Sequence, residues 1–114
     1  MQVTITKAFG YHTVEAVSSD YESDGLIEAQ VIHKVGNDVK MGGITLLPEH
    51  ISQPKFNRYE KAVLGALYQF VTKSKKELDF CQSCGYVDSH LVKCFSCGES
   101  KYFGTVIIDE KEVV

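Results

Sequence analysis

No stretch of this chain approaches the roughly 18 consecutive apolar residues that a helix needs to cross a bilayer, so a membrane is not expected among its partners. The opening residues, Met1-Gln2-Val3-Thr4-Ile5-Thr6-Lys7, lack the apolar centre of a secretion signal, and the expected compartment is the cytoplasm. Proline is scarce, with both copies, Pro48 and Pro54, in one short segment. There is no Gly-x-Ser-x-Gly elbow and no glycine-rich loop that would cradle phosphate. Catalysis and a small-molecule substrate are therefore not expected, and no catalytic residue is nominated. An excess of positive charge is missing too. Against 15 Asp and Glu stand 12 Lys and Arg, for a net charge of −3, which offers nucleic acid no general attraction.

Hydrophobic residues make up 44% of the 114 positions, enough for one domain or for a small domain with a metal-held appendage. The charge is unevenly spread. Residues 1–53 carry −4, residues 54–76 carry +5 and residues 77–114 carry −4. A basic segment between two acidic ones reads either as internal charge matching or as a docking face.

Residues 2–19 alternate in polarity and are rich in β-branched types, the pattern of strands punctuated by Gly10. Leu26 to Val35 and Val39 to Leu47 are expected to form a hairpin around Gly36-Asn37-Asp38. Gly42-Gly43 interrupts its second strand, which suggests a bulge or a close backbone contact. Residues 48–54 read as a linker. A helix is expected over about 55–76, with Phe56, Tyr59, Val63, Leu67, Phe70 and Val71 on one stripe that covers the sheet. Arg58, Lys61, Gly65, Gln69, Thr72 and Lys76 fall on the opposite side. Asn57 and Glu60 fit an N-cap and its box partner. Gly65 costs about 1 kcal/mol in a helix interior, and on the polar side it would allow something to approach closely. The expected class is α+β: a small, mostly antiparallel sheet over residues 1–53 covered by one helix, completing a unit over residues 1–77, followed by a metal module and an acidic tail at 109–114.

The cysteines carry the strongest signal. Cys81-Gln82-Ser83-Cys84-Gly85 and Cys94-Phe95-Ser96-Cys97-Gly98 are two Cys-x-x-Cys-Gly knuckles separated by the nine residues Gly85 to Lys93. Two residues between cysteines let one tight turn aim both sulfurs at a single ion, and the following glycine closes the turn. Four thiolates suit a tetrahedral structural zinc with Zn–S near 2.3 Å. Iron in a four-thiolate site has the same spacing, and two disulfides would require an oxidising compartment. With Leu91-Val92-Lys93 leading into the second knuckle and Tyr102 to Ile108 following as a strand, residues 78–108 resemble a zinc ribbon. That resemblance implies Zn²⁺ held structurally by Cys81, Cys84, Cys94 and Cys97, and says little about role.

Asp20 to Glu28 resembles the start of a calcium loop, but its twelfth position is Val31 instead of the bidentate Glu, and the segment reads equally as an acidic turn. His12, His33, His50 and His90 are scattered and read as surface or loop residues. Aromatic residues interleave with cations at Lys55 to Tyr59 and around the second knuckle, where Phe95 and Tyr102 are candidate exposed contacts.

The leading functional expectation is a protein-binding adaptor or inhibitor that docks on a larger protein through the ribbon, the acidic face of residues 1–53, or both. Small, acidic, metal-stapled chains of this kind look like accessory factors, including those that phages and mobile elements encode to modulate host enzymes. The alternative is a nucleic-acid-binding accessory protein using Arg58, Lys61, Lys73, Lys75 and Lys76 with the ribbon.

Overall fold

The computed structural model describes residues 2–19, 26–94, 97–98 and 100–108. The alternating N-terminal segments form strands β1 (Thr4–Phe9), β2 (His12–Ser18), β3 (Glu28–Val35) and β4 (Asp38–Thr45). They pair antiparallel in chain order, β1-β2-β3-β4. Because side chains alternate across a strand, one face collects Val3, Ile5, Val14, Ala16, Val31 and Ile44, all buried. Two of the three hairpin connections turn in two residues, at Gly10-Tyr11 and Gly36-Asn37. The β3–β4 register runs unbroken through Gln30↔Gly43 and Val31↔Gly42. The expected bulge at Gly42-Gly43 is absent, because both residues keep their places in the ladder.

The segment read as a linker contains a single helical turn, α1 (Pro48–Ile51), and Ile51 is buried. The main helix, α2 (Arg58–Lys73), is shorter than the 55–76 expected from its apolar stripe. Its start is set by the capping box. Glu60 N–H donates to Asn57 Oδ1 at 2.9 Å, and Asn57 N–H donates to Glu60 Oε1 at 2.9 Å. Its end is set by Ser74, whose left-handed φ of 56° turns the Lys75 N–H back to the Gln69 carbonyl at 3.5 Å. Lys76 therefore lies beyond the helix, not on its polar face.

Three further strands, β5 (Glu77–Cys81), β6 (Val87–Asp88) and β7 (Phe103–Ile107), make a second antiparallel sheet in the order β6-β5-β7. Helix α2 lies between the two sheets. The Tyr59 ring meets Phe9 and His12 of the first, with centroids 4.9 and 4.5 Å apart. Gly65, midway along the helix, meets Val87 of the second sheet, and Arg58 and Lys61, at its start, meet Gly85 of the first knuckle. The side of the helix expected to be solvated is thus partly covered, and Ala62, Leu64 and Ala66 are buried along with Val63, Leu67 and Phe70. One apolar core runs from Val3 to Ile108, with Leu78, Phe80, Val87 and Val106 contributed by the second sheet. The architecture is α+β and mostly antiparallel, as its sequence patterns imply. No helix among the described residues is long and apolar enough to cross a membrane.

Candidate metal centre

Strand β5 delivers Cys81 at its last position, and the turn that follows delivers Cys84. Gly85 N–H donates to the Cys81 carbonyl at 2.8 Å, and Gly98 N–H donates to the Cys94 carbonyl at 2.9 Å. The two knuckles therefore close with the same hydrogen bond. Both glycines take positive φ, 84° and 81°, a conformation that an L side chain resists. At Gly85 a side chain would also run into the Arg58 carbonyl and Lys61 Cβ, so the first knuckle sits directly on the opening turn of α2.

The four sulfurs lie within 4.8 Å of one another. Across the knuckles, Cys81 Sγ stands 3.5 Å from Cys97 Sγ and Cys84 Sγ 3.6 Å from Cys94 Sγ. A tetrahedron of sulfurs about 2.3 Å from a central ion has edges of about 3.8 Å. The arrangement is thus one four-sulfur cluster that fits a metal ion. Burial, reinforced by the three neighbouring thiols, pushes the Cys84 thiol up to about 12, with a hydrogen bond from the Tyr86 backbone acting the other way. Four thiolates this close repel one another unless a cation lies among them, which is the charge a bound metal ion supplies. Burial, and then Asp88, also raises the Tyr86 phenol.

Asp79, on β5, organises the loop between the knuckles. Its carboxylate accepts from the Leu91 backbone N–H at 3.0 Å and from the Thr105 hydroxyl at 3.3 Å. His90, which lies in the spacer, is exposed and stands 3.5 Å from the same carboxylate instead of joining the sulfurs. Sequence reading passed over Asp79, because one carboxylate between Leu78 and Phe80 carries no motif of its own.

The candidate contact residues separate. Arg58 and Tyr102 meet in one groove of about 630 Å³ between the β1–β2 turn, the start of α2 and the first knuckle. Lys7 and Phe9 line it with them, and sequence reading missed both. Tyr102 is 61% exposed, and the Arg58 guanidinium lies 4.9 Å from the Tyr59 ring centroid. Among the described residues no carboxylate lines this groove. Lys61 and Lys73 line a second groove of about 660 Å³ with Ile51, Tyr68 and Val87. Lys75 is engaged with Ser89, Nζ to Oγ 2.8 Å. The Lys76 carbonyl accepts the Ile108 N–H at 2.7 Å, tying the end of β7 back to the start of β5. The five cations therefore do not form one track. Phe95, the acidic turn at 20–25 and the tail at 109–114 lie outside the described residues.

His33 is buried, against the expectation of a surface histidine. Asn57 Nδ2 donates to its Nδ1 at 3.2 Å, and its Nε2 shares a hydrogen bond of 2.9 Å with His12 Nδ1. An amide nitrogen only donates, so His33 Nδ1 is the acceptor and the ring is neutral with its proton on Nε2. Glu60, also buried, stands 3.7 Å from His33 Nδ1 and 3.9 Å from Lys40 Nζ.

Compared with known proteins, the chain matches no family, no curated protein and no solved structure.

Proposed function

We propose that Cys81, Cys84, Cys94 and Cys97 hold one structural zinc ion in a ribbon-like module, and that the chain is a small protein-binding adaptor or inhibitor. Soft thiolates at tetrahedral spacing favour zinc among the abundant divalent ions. Four protein ligands complete the shell and leave no position for a reacting water, so the ion's role is to hold structure. Protein purified without added metal should carry about one equivalent of zinc. It should be colourless, because a ferric four-thiolate site absorbs visible light.

The adaptor reading rests on one observation: the groove in which Arg58 and Lys7 stand beside Phe9 and the exposed Tyr102, with no carboxylate in its described walls. Such a surface suits an acidic, aromatic-bearing segment of a partner protein, since aromatic and Arg side chains anchor most protein interfaces. The metal-held knuckle forms one wall, so zinc shapes the docking surface without touching the partner. The test compares the wild-type chain with Arg58→Glu and Tyr102→Ala as baits in cell extract. Arg58 is exposed at the first turn of α2, where an acidic residue is well tolerated. A partner retained by wild type and lost from both variants, each with its zinc, supports the reading. Equal capture by all three ends it.

Nucleic acid is the second reading, favoured by the same mixture of cations and aromatic rings. Binding to single-stranded DNA or RNA that falls steeply with salt would support it, and no binding at low salt would remove it.

A further inference from the structure

Two glycines stand side by side within β4, and nothing among the described residues requires them. Neither takes positive φ. A Cβ on Gly42 would meet no atom within 4 Å, and one on Gly43 would only reach the Ala29 carbonyl oxygen at 4.0 Å. The ladder to β3 runs through both. Glycine weakens a strand interior, where it packs nothing and loses the most backbone freedom. The reason for a pair of them therefore lies outside the single chain, and close approach of another backbone is such a reason.

Strand β4 is the last in its sheet. Leu46 N–H donates to the Ile27 carbonyl at 2.7 Å, and bonded and non-bonded pairs alternate along an antiparallel ladder. Residues 40, 42 and 44 consequently bond to β3, while Val39, Met41 and Gly43 turn their N–H and C=O groups to the open edge. Both faces of this stretch are open as well. Val39 and Met41 are 56% and 57% exposed on one face, and Lys40 is exposed on the other. Helix α2 packs chiefly over β1, β2 and β3, and residues 38–41 of β4 are exposed among the described residues. A long edge with apolar side chains is a template for pairing.

We propose that β4 pairs antiparallel with β4 of a second copy about a two-fold axis at Met41, joining two sheets into one. In this register Met41 faces Met41, Val39 of one copy faces Gly43 of the other, and Lys40 faces Gly42. Every outward N–H and C=O at positions 39, 41 and 43 finds a partner. On either side of the central Met41 pair, Val39 and Lys40 lie across from glycines and gain room to lie along the neighbouring strand. A two-fold interface needs one patch that complements itself. Large opposite small, with donors opposite acceptors, meets that demand and argues for a second copy over an unrelated strand. The inference stands on β4 alone, independent of the groove and the metal.

The test uses the full, metal-loaded chain. Sedimentation equilibrium should show a mass rising with concentration from 12.7 kDa towards twice that value. Hydrogen exchange should show amides 39, 41 and 43 gaining protection with concentration, while 40 and 42 stay protected throughout. Met41→Pro removes an outward donor and no ladder bond, so the fold should persist with self-association weakened about tenfold or more. Met41→Asp sets carboxylates face to face with the same expected result, and serves if the proline variant does not fold. A chain that stays at monomer mass at its highest soluble concentration overturns the proposal. So does a dimer protected on another strand, or one that Met41→Asp leaves intact.

Discussion

Val87 lies over Gly65 so closely that a Cβ on the glycine would stand 2.8 Å from Val87 Cγ2 and 3.1 Å from its Cβ. The missing side chain lets β6 rest on the middle of α2. In isolation, Gly65→Ala would favour the helix by about 1 kcal/mol. Here the methyl meets a β-branched side chain that has little rotamer freedom. Overpacking of this kind costs about 1–3 kcal/mol, so the variant is expected to be less stable than wild type. Urea denaturation with zinc in excess measures the sign. A more stable Gly65→Ala would show that the second sheet does not rest here.

Leu67 is fully buried within the core of α2 and the two sheets. Leu67→Ala should cost about 2–5 kcal/mol. The same denaturation measurement checks it, and a loss under about 0.5 kcal/mol, typical of a surface position, would contradict the burial.

The features legible in the sequence were those made by near neighbours. The capping box needs only Asn57 and Glu60, each cysteine knuckle spans five residues, and the hairpin turn at Gly36 lies between two extended runs, as the break at Gly10 does. What escaped was made by contacts between distant segments. Lys7 and Phe9 meet Arg58 and Tyr102 only because two sheets clasp one helix end. The second buried flank of α2 is lined by Ala62, Gly65 and Ala66, small residues that add little to an apolar stripe yet permit the closest packing. His33 looked like a surface residue, because only the fold sets Asn57, Glu60 and Tyr59 around it.

Loss of one thiolate should open the metal shell. Cys84→Ser and Cys97→Ser are each expected to reduce the metal content from about one equivalent to near none and to unfold residues 78–108. The structure extends the consequence. Leu78, Phe80, Val106 and Ile108 belong to the same core as the first sheet, so melting of the remaining chain should shift down as well. Elemental analysis with hydrogen exchange reads both effects. A variant that keeps its metal and its exchange pattern would show that the sulfurs do not share an ion.

His33 supplies the pH dependence. Burial, the largest influence, holds its pKa below the ordinary 6.5; Glu60 pulls it up, while His12 and Lys40 push it down. Between the folded and unfolded values the unfolded chain binds more protons, so stability rises with pH across that window. The contribution is complete above about pH 6.5, declines as pH falls below it, and levels off beneath the folded value. Protonation places a proton on Nδ1, where the Asn57 amide already donates, so the charged ring must break that contact. Acid also displaces metal from thiolates, which makes wild type alone ambiguous. The informative quantity is the difference between wild type and His33→Gln. Their stabilities should converge as pH falls from 7 to 5, with the variant showing the shallower loss. Parallel curves would mean that His33 does not titrate in this range and that another group carries the acid sensitivity.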